Sequence, residues 1–472
     1  MTDLLGPMAH AAMARGQRVP ADLATRSDST PAAVLLRLWV LGLPVDTAAV
    51  QAALPTVGVD GIVHIGLARL IEPGTQVAGS VDLRPYADRD HDWWVVSDLT
   101  SMATSRPLDE AHVTGVGGAS VTLASWIPRP WTARVLDLGT GSGVQALALA
   151  SHSAYRVVTD LSDRALQFAL ITATLNGVDV EPRAGSAFDP VVGEQFDLIV
   201  CNPPFVITPR TSQAAALSYR DAGAIGDGFL AELIGGVQAH LGPGGIAVFL
   251  GNWEVPVGGR WTERLGGWLD GTGLDALVVQ RDVQEPSEYA ETWAGDAGLR
   301  PGEHAYEDAY EHWLTDFASR DVERIGFGVV VLQRPAEDRA PWRHFTELRG
   351  GMDHPMGPHV LAHVRARSWL AMHTDQDVLS VPWTMADDVT QEQIGRPGAA
   401  DPAVIRLRQA GGFGHVADVG TVTAAVVGAC DGELSARQII VAVATLLDVD
   451  LDEALAQAVS AVRELVAFGL LC

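Results

Sequence analysis

A strand, a glycine-rich turn and a helix follow one another directly near the middle of this chain. Residues 134–138 form a short apolar run, residues 139–143 carry glycine at alternate positions, and residues 144–150 have the composition of a buried helix. Glycines at such a turn let a ligand approach the backbone where a Cβ atom would obstruct it. Because Val144 stands where the dinucleotide fingerprint requires its third glycine, the spacing disfavours a nicotinamide or flavin cofactor.

Apolar runs alternate with helical stretches on both sides of this turn. Residues 155–160 form a second predicted strand that ends in Asp160, and residues 196–201 form a third. This alternation predicts the α/β class, with a mostly parallel sheet and helices on both of its faces. An acid at the end of the second strand is placed to accept hydrogen bonds from ribose hydroxyls. We therefore expect a nucleoside-containing ligand at the carboxyl edge of the sheet.

The tetrapeptide Asn202-Pro203-Pro204-Phe205 follows the third strand. Its two prolines fix φ and remove two N–H donors, so the turn can present the Asn202 amide and a backbone carbonyl as acceptors beside an aromatic ring. Such a site suits a planar NH2 group. The alternative is a simple strand exit, but the glycine turn and Asp160, in order on neighbouring strand ends, favour a binding site.

Together these motifs make the stretch 115–333 resemble a class I S-adenosylmethionine-dependent methyltransferase, of the methyltransferase-small group with the HemK/PrmC-type glutamine and RsmC-type rRNA guanine methyltransferases. The resemblance implies a Rossmann-like sheet of seven strands and S-adenosylmethionine as the cofactor. It covers just under half of the chain. We therefore predict a methyltransferase domain over residues 97–335, between a small winged-helix-like domain over 1–96 and a C-terminal accessory domain over 336–472.

The resemblance also implies which residues contact the cofactor. The glycine turn would line the methionine and ribose part, and Asp160 would hold the ribose. Ser186 stands where the family usually has an acid that contacts the adenine amino group, so this contact is less defined here. The predicted cofactor residues are Asp137, Gly139, Thr140, Gly141, Gly143, Asp160, Leu161, Ser186, Ala187 and Asn202.

On the acceptor side, the resemblance implies that Asn202 and Pro203 bind the methyl-accepting nitrogen and that Phe205 stacks on its plane. These three residues are the predicted catalytic residues. Phe at the last position resembles the guanine branch more than the glutamine branch. A long loop over residues 206–225 lies at the same edge and could contact the acceptor or anchor itself. The predicted substrate contacts are Pro204, Tyr219 and Arg220.

The net charge of −26, from 58 acidic and 32 basic residues, bears on the partner. An acidic body repels phosphates at long range, although a local basic track remains compatible with it. We expect a protein, peptide or RNA substrate, and no DNA. Methylation of a small metabolite is one alternative, and a non-catalytic partner-binding protein that keeps the cofactor fold is another.

The cysteine and histidine patterns argue against metal and disulfide chemistry. The three cysteines are scattered at Cys201, Cys430 and Cys472, which predicts neither disulfides nor zinc. The spacing of four histidines over 344–363 matches no ligand pattern, so no metal is expected. No apolar run reaches membrane-spanning length, and the first residues lack a signal pattern. We expect a cytoplasmic protein that does not contact membranes.

The flanking segments leave several alternatives open. Predicted helices over 31–42, 47–54 and 59–71, followed by a hairpin, suggest packing or partner docking more than DNA reading. The pair Trp93-Trp94 is either a seam between domains or a cover for the cofactor. The acidic, aromatic insertion 281–324 is either a substrate flap or a helical cap. Near the C-terminus, predicted helices over 436–447 and 451–468 resemble a helix-turn-helix module.

Overall fold

The computed structural model describes residues 1–71, 74–104, 106, 108–109, 111–210, 223–352, 354–398 and 402–472. The N-terminal region folds into helices around a three-stranded antiparallel sheet, in which β3 lies between β1 and β2. Its elements are α1 (Thr2–Ala14), α2 (Val19–Thr25), α3 (Pro31–Leu35), which continues as a π-helical turn (Leu36–Val40), β1 (Val45–Asp46), α4 (Thr47–Ala53), α5 (Gly58–His64), β2 (Ala68–Ile71), β3 (Gln76–Gly79), β4 (Asp82–Ala87) and β5 (Asp92–Ser97).

The prediction of a third helix over 59–71 is wrong in its second half. Helix α5 ends at His64, and Gly66 follows with φ +79°, a left-handed conformation that commonly terminates helices. Residues 68–71 then form β2 and pair with β3. From residue 31 onward, the observed order is a helix, the short strand β1, the helices α4 and α5, and the hairpin of β2 and β3. The winged-helix description of this region remains a prediction.

A hairpin of β4 and β5 joins this region to the central sheet. Trp93 is buried in a cluster with Val95, Val144 and Leu147, so one tryptophan of the pair packs on the helix that follows the glycine turn. Trp94 is 51% exposed, and its backbone N–H and carbonyl both bond with the Asn176 side chain. The tryptophan pair therefore lies at a seam between the hairpin and the central layer.

The central sheet contains eight strands rather than the predicted seven. All neighbouring pairs are parallel except those of β12, which runs antiparallel to both β10 and β11. The additional strand, Arg343–Glu347, is a short segment of mixed polarity that carries no strand signal of its own and pairs with β11. In spatial order the strands are β13 (Arg343–Glu347), β11 (Asp275–Gln284), β12 (Val322–Gln333), β10 (Leu241–Pro256), β9 (Phe196–Cys201), β6 (Thr132–Leu138), β7 (Ser153–Asp160) and β8 (Glu181–Ala184).

Helices cover both faces of this sheet, as its uninterrupted apolar strands require. One face packs Leu233 of the helix Gly228–Val237 and Leu265 of the helix Trp261–Leu269, and the other packs Leu123 of the helix Gly118–Trp126 and Val360 of the helix Gly357–Met372. Along the chain, two helices directly precede the first strand of this sheet, α6 (Ser101–Thr104) and α7 (Gly118–Trp126). The helices between its strands are α8 (Val144–Leu149), α9 (Asp163–Leu175), α10 (Gly228–Val237), α11 (Trp261–Leu269), α12 (Pro286–Asp296) and α13 (His304–Ser319).

The C-terminal region builds its own apolar core and also packs on the central sheet through α14. Its helix α17 begins with a capping box between Ser435 and Gln438 and ends at Asp448 in a left-handed conformation, in agreement with the predicted bounds. The elements are α14 (Gly357–Met372), α15 (Asp375–Ser380), β14 (Val389–Ile394), β15 (Val404–Gln409), β16 (Val416–Val419), α16 (Thr421–Gly428), α17 (Ala436–Leu447) and α18 (Leu451–Ala467).

Candidate active site

The turn between β6 and α8 forms an open cradle at the carboxyl edge of the sheet. Gly139, Gly141 and Gly143 have φ of +70°, +55° and +84°, a region that favours glycine. A Cβ atom at Gly139 or Gly141 would meet no atom within 4 Å, so the space beside them is free for a ligand. At Gly143 it would lie 3.2 Å from the Ala169 Cα, so this glycine instead permits close packing of α8 on α9.

Asp137 holds the turn to the first helix. It is 2% exposed, and its carboxylate accepts hydrogen bonds from the Thr140 hydroxyl (2.7 Å) and the Ala146 N–H (3.1 Å). Burial raises the pKa of Asp137 to about 7. These bonds join the end of β6 to the start of α8. Asp137 and Thr140 thus shape the cradle, and their contact with the cofactor remains a prediction.

Asp160 lies on the other side of the cradle, at the end of β7. Its carboxylate accepts hydrogen bonds from the N–H groups of Gly141 (3.0 Å) and Ser162 (2.9 Å). Burial is the main cause that raises the pKa of this group. The next residue, Leu161, is an apolar side chain that is 76% exposed. An acid and an exposed apolar side chain beside an open glycine cradle fit a ribose and an adenine.

The loop after β8 borders the same edge. The Gly185 N–H donates to the Asp160 carbonyl (3.0 Å), which brings Ser186 and Ala187 beside the second strand. Ser186 is exposed, and Ala187 has φ +43°, uncommon for a residue with a side chain. The predicted cofactor residues therefore converge at one edge.

Gln145 of α8 links the glycine turn to the segment of chain that precedes the central sheet. The Gln145 Nε2 donates to the Ser120 carbonyl (2.9 Å), and the Ser142 hydroxyl donates to the Thr114 carbonyl (3.0 Å). These bonds fix the loop before α7 against the glycine turn. The Gln145 Oε1 is buried and has no hydrogen-bond partner in the described part of the chain. Sequence reasoning missed Gln145 because a glutamine within an apolar helix has no motif around it.

The turn Asn202-Pro203-Pro204-Phe205 leaves β9 at this edge. The Asn202 Oδ1 is buried, and no group of the described residues donates to it. An acceptor buried without a partner costs about 1–3 kcal/mol and calls for an explanation such as a missing ligand. Pro203 is buried, and the half-buried Phe205 ring lies edge-on to Trp293 with centroids 6.3 Å apart.

A cleft that is partly open to solvent lies beside this turn. Its walls come from the turn and the residues after it, from the segment 224–230, and from Asn252 of β10. Tyr219 and Arg220, the predicted loop contacts, lie outside the described residues. The lining residues used below are Pro203, Pro204, Phe205, Val206, Asp227 and Asn252.

Two buried ion pairs stabilise the far wall of the cavity. Asp227 is 5% exposed and forms a two-bond ion pair with Arg264, while Glu254 is 3% exposed and binds Arg320 at 2.7 Å. Burial is the main cause that raises the pKa of Glu254. Because each buried carboxylate has a guanidinium partner, these polar side chains are held in one arrangement. No local sequence pattern indicates these pairs, because the partners lie 37 and 66 residues apart.

Comparison with known proteins places these motifs in a family. The methyltransferase small domain model matches residues 114–220. The release factor glutamine methyltransferase of Xylella fastidiosa is 36% identical over 201 residues, which cover 41% of this chain and 69% of that protein. The chain belongs to the methyltransferase small-domain family. It is an S-adenosylmethionine-dependent methyltransferase, which confirms the predicted resemblance, enzyme class and cofactor.

Other relatives of this methyltransferase differ in substrate. The ribosomal RNA small subunit methyltransferase C of Salmonella choleraesuis is 31% identical over 166 residues, 35% of this chain and 44% of that protein. A solved 16S rRNA N2 G1207 methyltransferase of T. thermophilus is 16% identical with a TM-score of 0.30, covering 50% of this chain and 60% of that one. Two models of domains of unknown function match residues 1–78 and 361–472. No helix in the described ranges is long and apolar enough to cross a membrane.

Proposed function

We propose that this methyltransferase transfers a methyl group to the planar NH2 nitrogen of a side-chain amide in a protein or peptide. The observation that carries the proposal is the Asn202 Oδ1, a buried acceptor at the carboxyl end of a central strand to which no described residue donates. A cleft beside the turn, partly open to solvent, gives an acceptor group access to this edge. An N–H donor from the substrate would satisfy the Asn202 oxygen.

The chemistry needs alignment more than activation. The cofactor supplies a methyl group that is already activated as a sulfonium. Asn202 Oδ1 and the Pro203 carbonyl would accept the two N–H groups of the acceptor, and the Phe205 ring would hold its plane. Both acceptors would stabilise positive charge that develops on the nitrogen. No general base is required, because the methylated nitrogen can release its proton late.

Charge favours a protein over an RNA acceptor. The insertion 281–324, which supplies Trp293 against Phe205, contains 12 acidic residues and four arginines. Such a surface repels the phosphate backbone on which RNA binding depends. The name of the Xylella relative supports a glutamine amide.

A guanine-type amine of an RNA base is the second candidate. Phe205 at the end of the turn and the relatives named for ribosomal RNA favour it. A small-metabolite acceptor is the third outcome that an experiment must separate.

Labelling of a cell extract distinguishes these acceptors. The extract is incubated with the enzyme and radiolabelled S-adenosylmethionine, and protein, RNA and small molecules are then separated. We expect label in the protein fraction, recovered after hydrolysis as a methylated amide side chain, and its loss with the Asn202→Ala enzyme. Label in RNA or in small molecules would contradict a protein acceptor and would identify the RNA or small-molecule candidate instead. Label in no fraction would contradict the proposal.

A further inference from the structure

The insertion 281–324 forms a helical pair that supports the acceptor side of the site. Helices α12 and α13 pack around Tyr289, which is fully buried. The same apolar cluster contains Val206 and Ile207, the residues directly after the acceptor turn. The tyrosine ring is surrounded by the rings of Trp293, Trp313, Phe317 and Phe327. The insertion therefore contacts the backbone that leaves the Asn202-Pro203-Pro204-Phe205 turn.

The Tyr289 hydroxyl joins two parts of the acceptor site. Its oxygen accepts a hydrogen bond from the Ile207 N–H at 2.9 Å and another from the Asn252 Nδ2 at 2.9 Å, and both bonds are buried. Ile207 lies two residues beyond Phe205, and Asn252 lies on β10, the strand next to β9. One side chain of the insertion thus holds the loop after the turn and an amide side chain of the adjoining strand.

These bonds determine which atom of Asn252 is left for a ligand. Asn252 is 2% exposed and lines the cavity beside the turn. One N–H of its side chain donates to the Tyr289 oxygen, which fixes the side of the amide that carries the nitrogen and thereby the side that carries the carbonyl. Among the described residues, no group donates to the Asn252 Oδ1. This carbonyl is a second side-chain acceptor on the acceptor side of the site, in addition to the Asn202 Oδ1 at the turn.

We propose that Asn252 binds a further N–H group of the acceptor molecule and that Tyr289 is the positioning residue that orients it. The inference rests on the proposed function, since it concerns the same cavity. It assigns to the acceptor a second N–H donor near the methylated nitrogen, such as the backbone amide of the residue that carries the side-chain NH2. An acceptor lacking that donor would leave the buried Asn252 carbonyl unpaired and would bind less well.

The test compares Tyr289→Phe, Asn252→Leu and the double variant with wild type, using label transfer to the extract fraction that wild type labels. Phe keeps the ring packing and removes only the hydroxyl. Each single change should lower kcat/KM by about 10- to 100-fold. The affinity for S-adenosylmethionine, measured by calorimetry, should stay within about threefold of wild type. Because the two residues act together, the double variant should lose less than the product of the single losses.

Tyr310→Phe is the matched control, since this tyrosine lies in the same insertion and its hydroxyl contacts Ser287 and, at 3.4 Å, the surface acid Glu291. It should behave as wild type. Wild-type kcat/KM in Tyr289→Phe would overturn the inference, and so would a loss of transfer that is matched by an equal loss of cofactor affinity, because that pattern indicates a structural role only. A wild-type enzyme that labels nothing overturns the proposed function itself.

Discussion

Asn202→Ala should abolish most activity without destabilising the protein. Removing a hydrogen-bonding group aimed at charge in the transition state costs about 2.7–4 kcal/mol, or roughly 10²- to 10³-fold in kcat. Before the methyl acceptor binds, the Asn202 Oδ1 receives no hydrogen bond from the described residues and bears a desolvation cost of about 1–3 kcal/mol. Alanine removes that cost while losing some contacts of a half-buried side chain. The melting temperature should therefore stay the same or rise.

The assay measures methyl transfer, cofactor affinity by calorimetry, and thermal unfolding on the same preparations. Asn176→Ala is a control with the opposite expected result, a loss of stability without a loss of turnover. The Asn176 side chain accepts from the Trp94 N–H and donates to the carbonyls of Trp94 and Thr172, so its loss should lower stability and spare turnover. Turnover of Asn202→Ala within about threefold of wild type would refute the reasoning, as would lost cofactor affinity with preserved kcat.

Two further predictions concern the cofactor site and acid stability. Asp160→Ala should weaken S-adenosylmethionine binding by about 10- to 100-fold in calorimetry, because it removes the acceptor for the Gly141 and Ser162 N–H groups and the predicted ribose contact; unchanged affinity would contradict the assignment. Burial is the main cause that lowers the pKa of His363 to about 2, and nearby Arg367 adds to this effect. The imidazole therefore stays neutral in the folded protein but gains a proton in the unfolded chain as pH falls below about 6.5. The free energy of unfolding should decrease over that range. Denaturant unfolding at pH 7.5 and 5 should show this loss, and His363→Gln should reduce it.

Local signals predicted where the residues of the proposed cofactor site lie in the fold. The glycines of the turn and the acid at the end of the second strand are consecutive features of single elements, so pattern alone places them at strand ends. The turn at Asn202 directly follows β9 for the same reason. Helix α17 has the predicted bounds because its capping box is a local pattern, formed by Ser435 and Gln438 three positions apart.

The rest depends on tertiary contacts that no local pattern contains. The strand Arg343–Glu347 is stabilised by its pairing with β11 and not by its own composition. Neither Asn252 nor Tyr289 stands in a sequence motif that marks it as a site residue. Their hydrogen bond joins residues 37 positions apart, so only the fold reveals that they share a cavity.

The division of the site explains how relatives with one motif can differ in acceptor. The glycine turn, Asp160 and the turn at Asn202 all lie within residues 114–220, the part matched by the family model. Asn252 and the insertion that orients it lie beyond that match. Methyl transfer depends on alignment of the cofactor with the reacting nitrogen, the role that we assign to the first part. Discrimination among acceptors requires contacts away from the reacting nitrogen, and under our proposal those contacts come from the second part. The residues that distinguish an amide from a base should therefore be sought around Tyr289 and Asn252, and not in the shared turn.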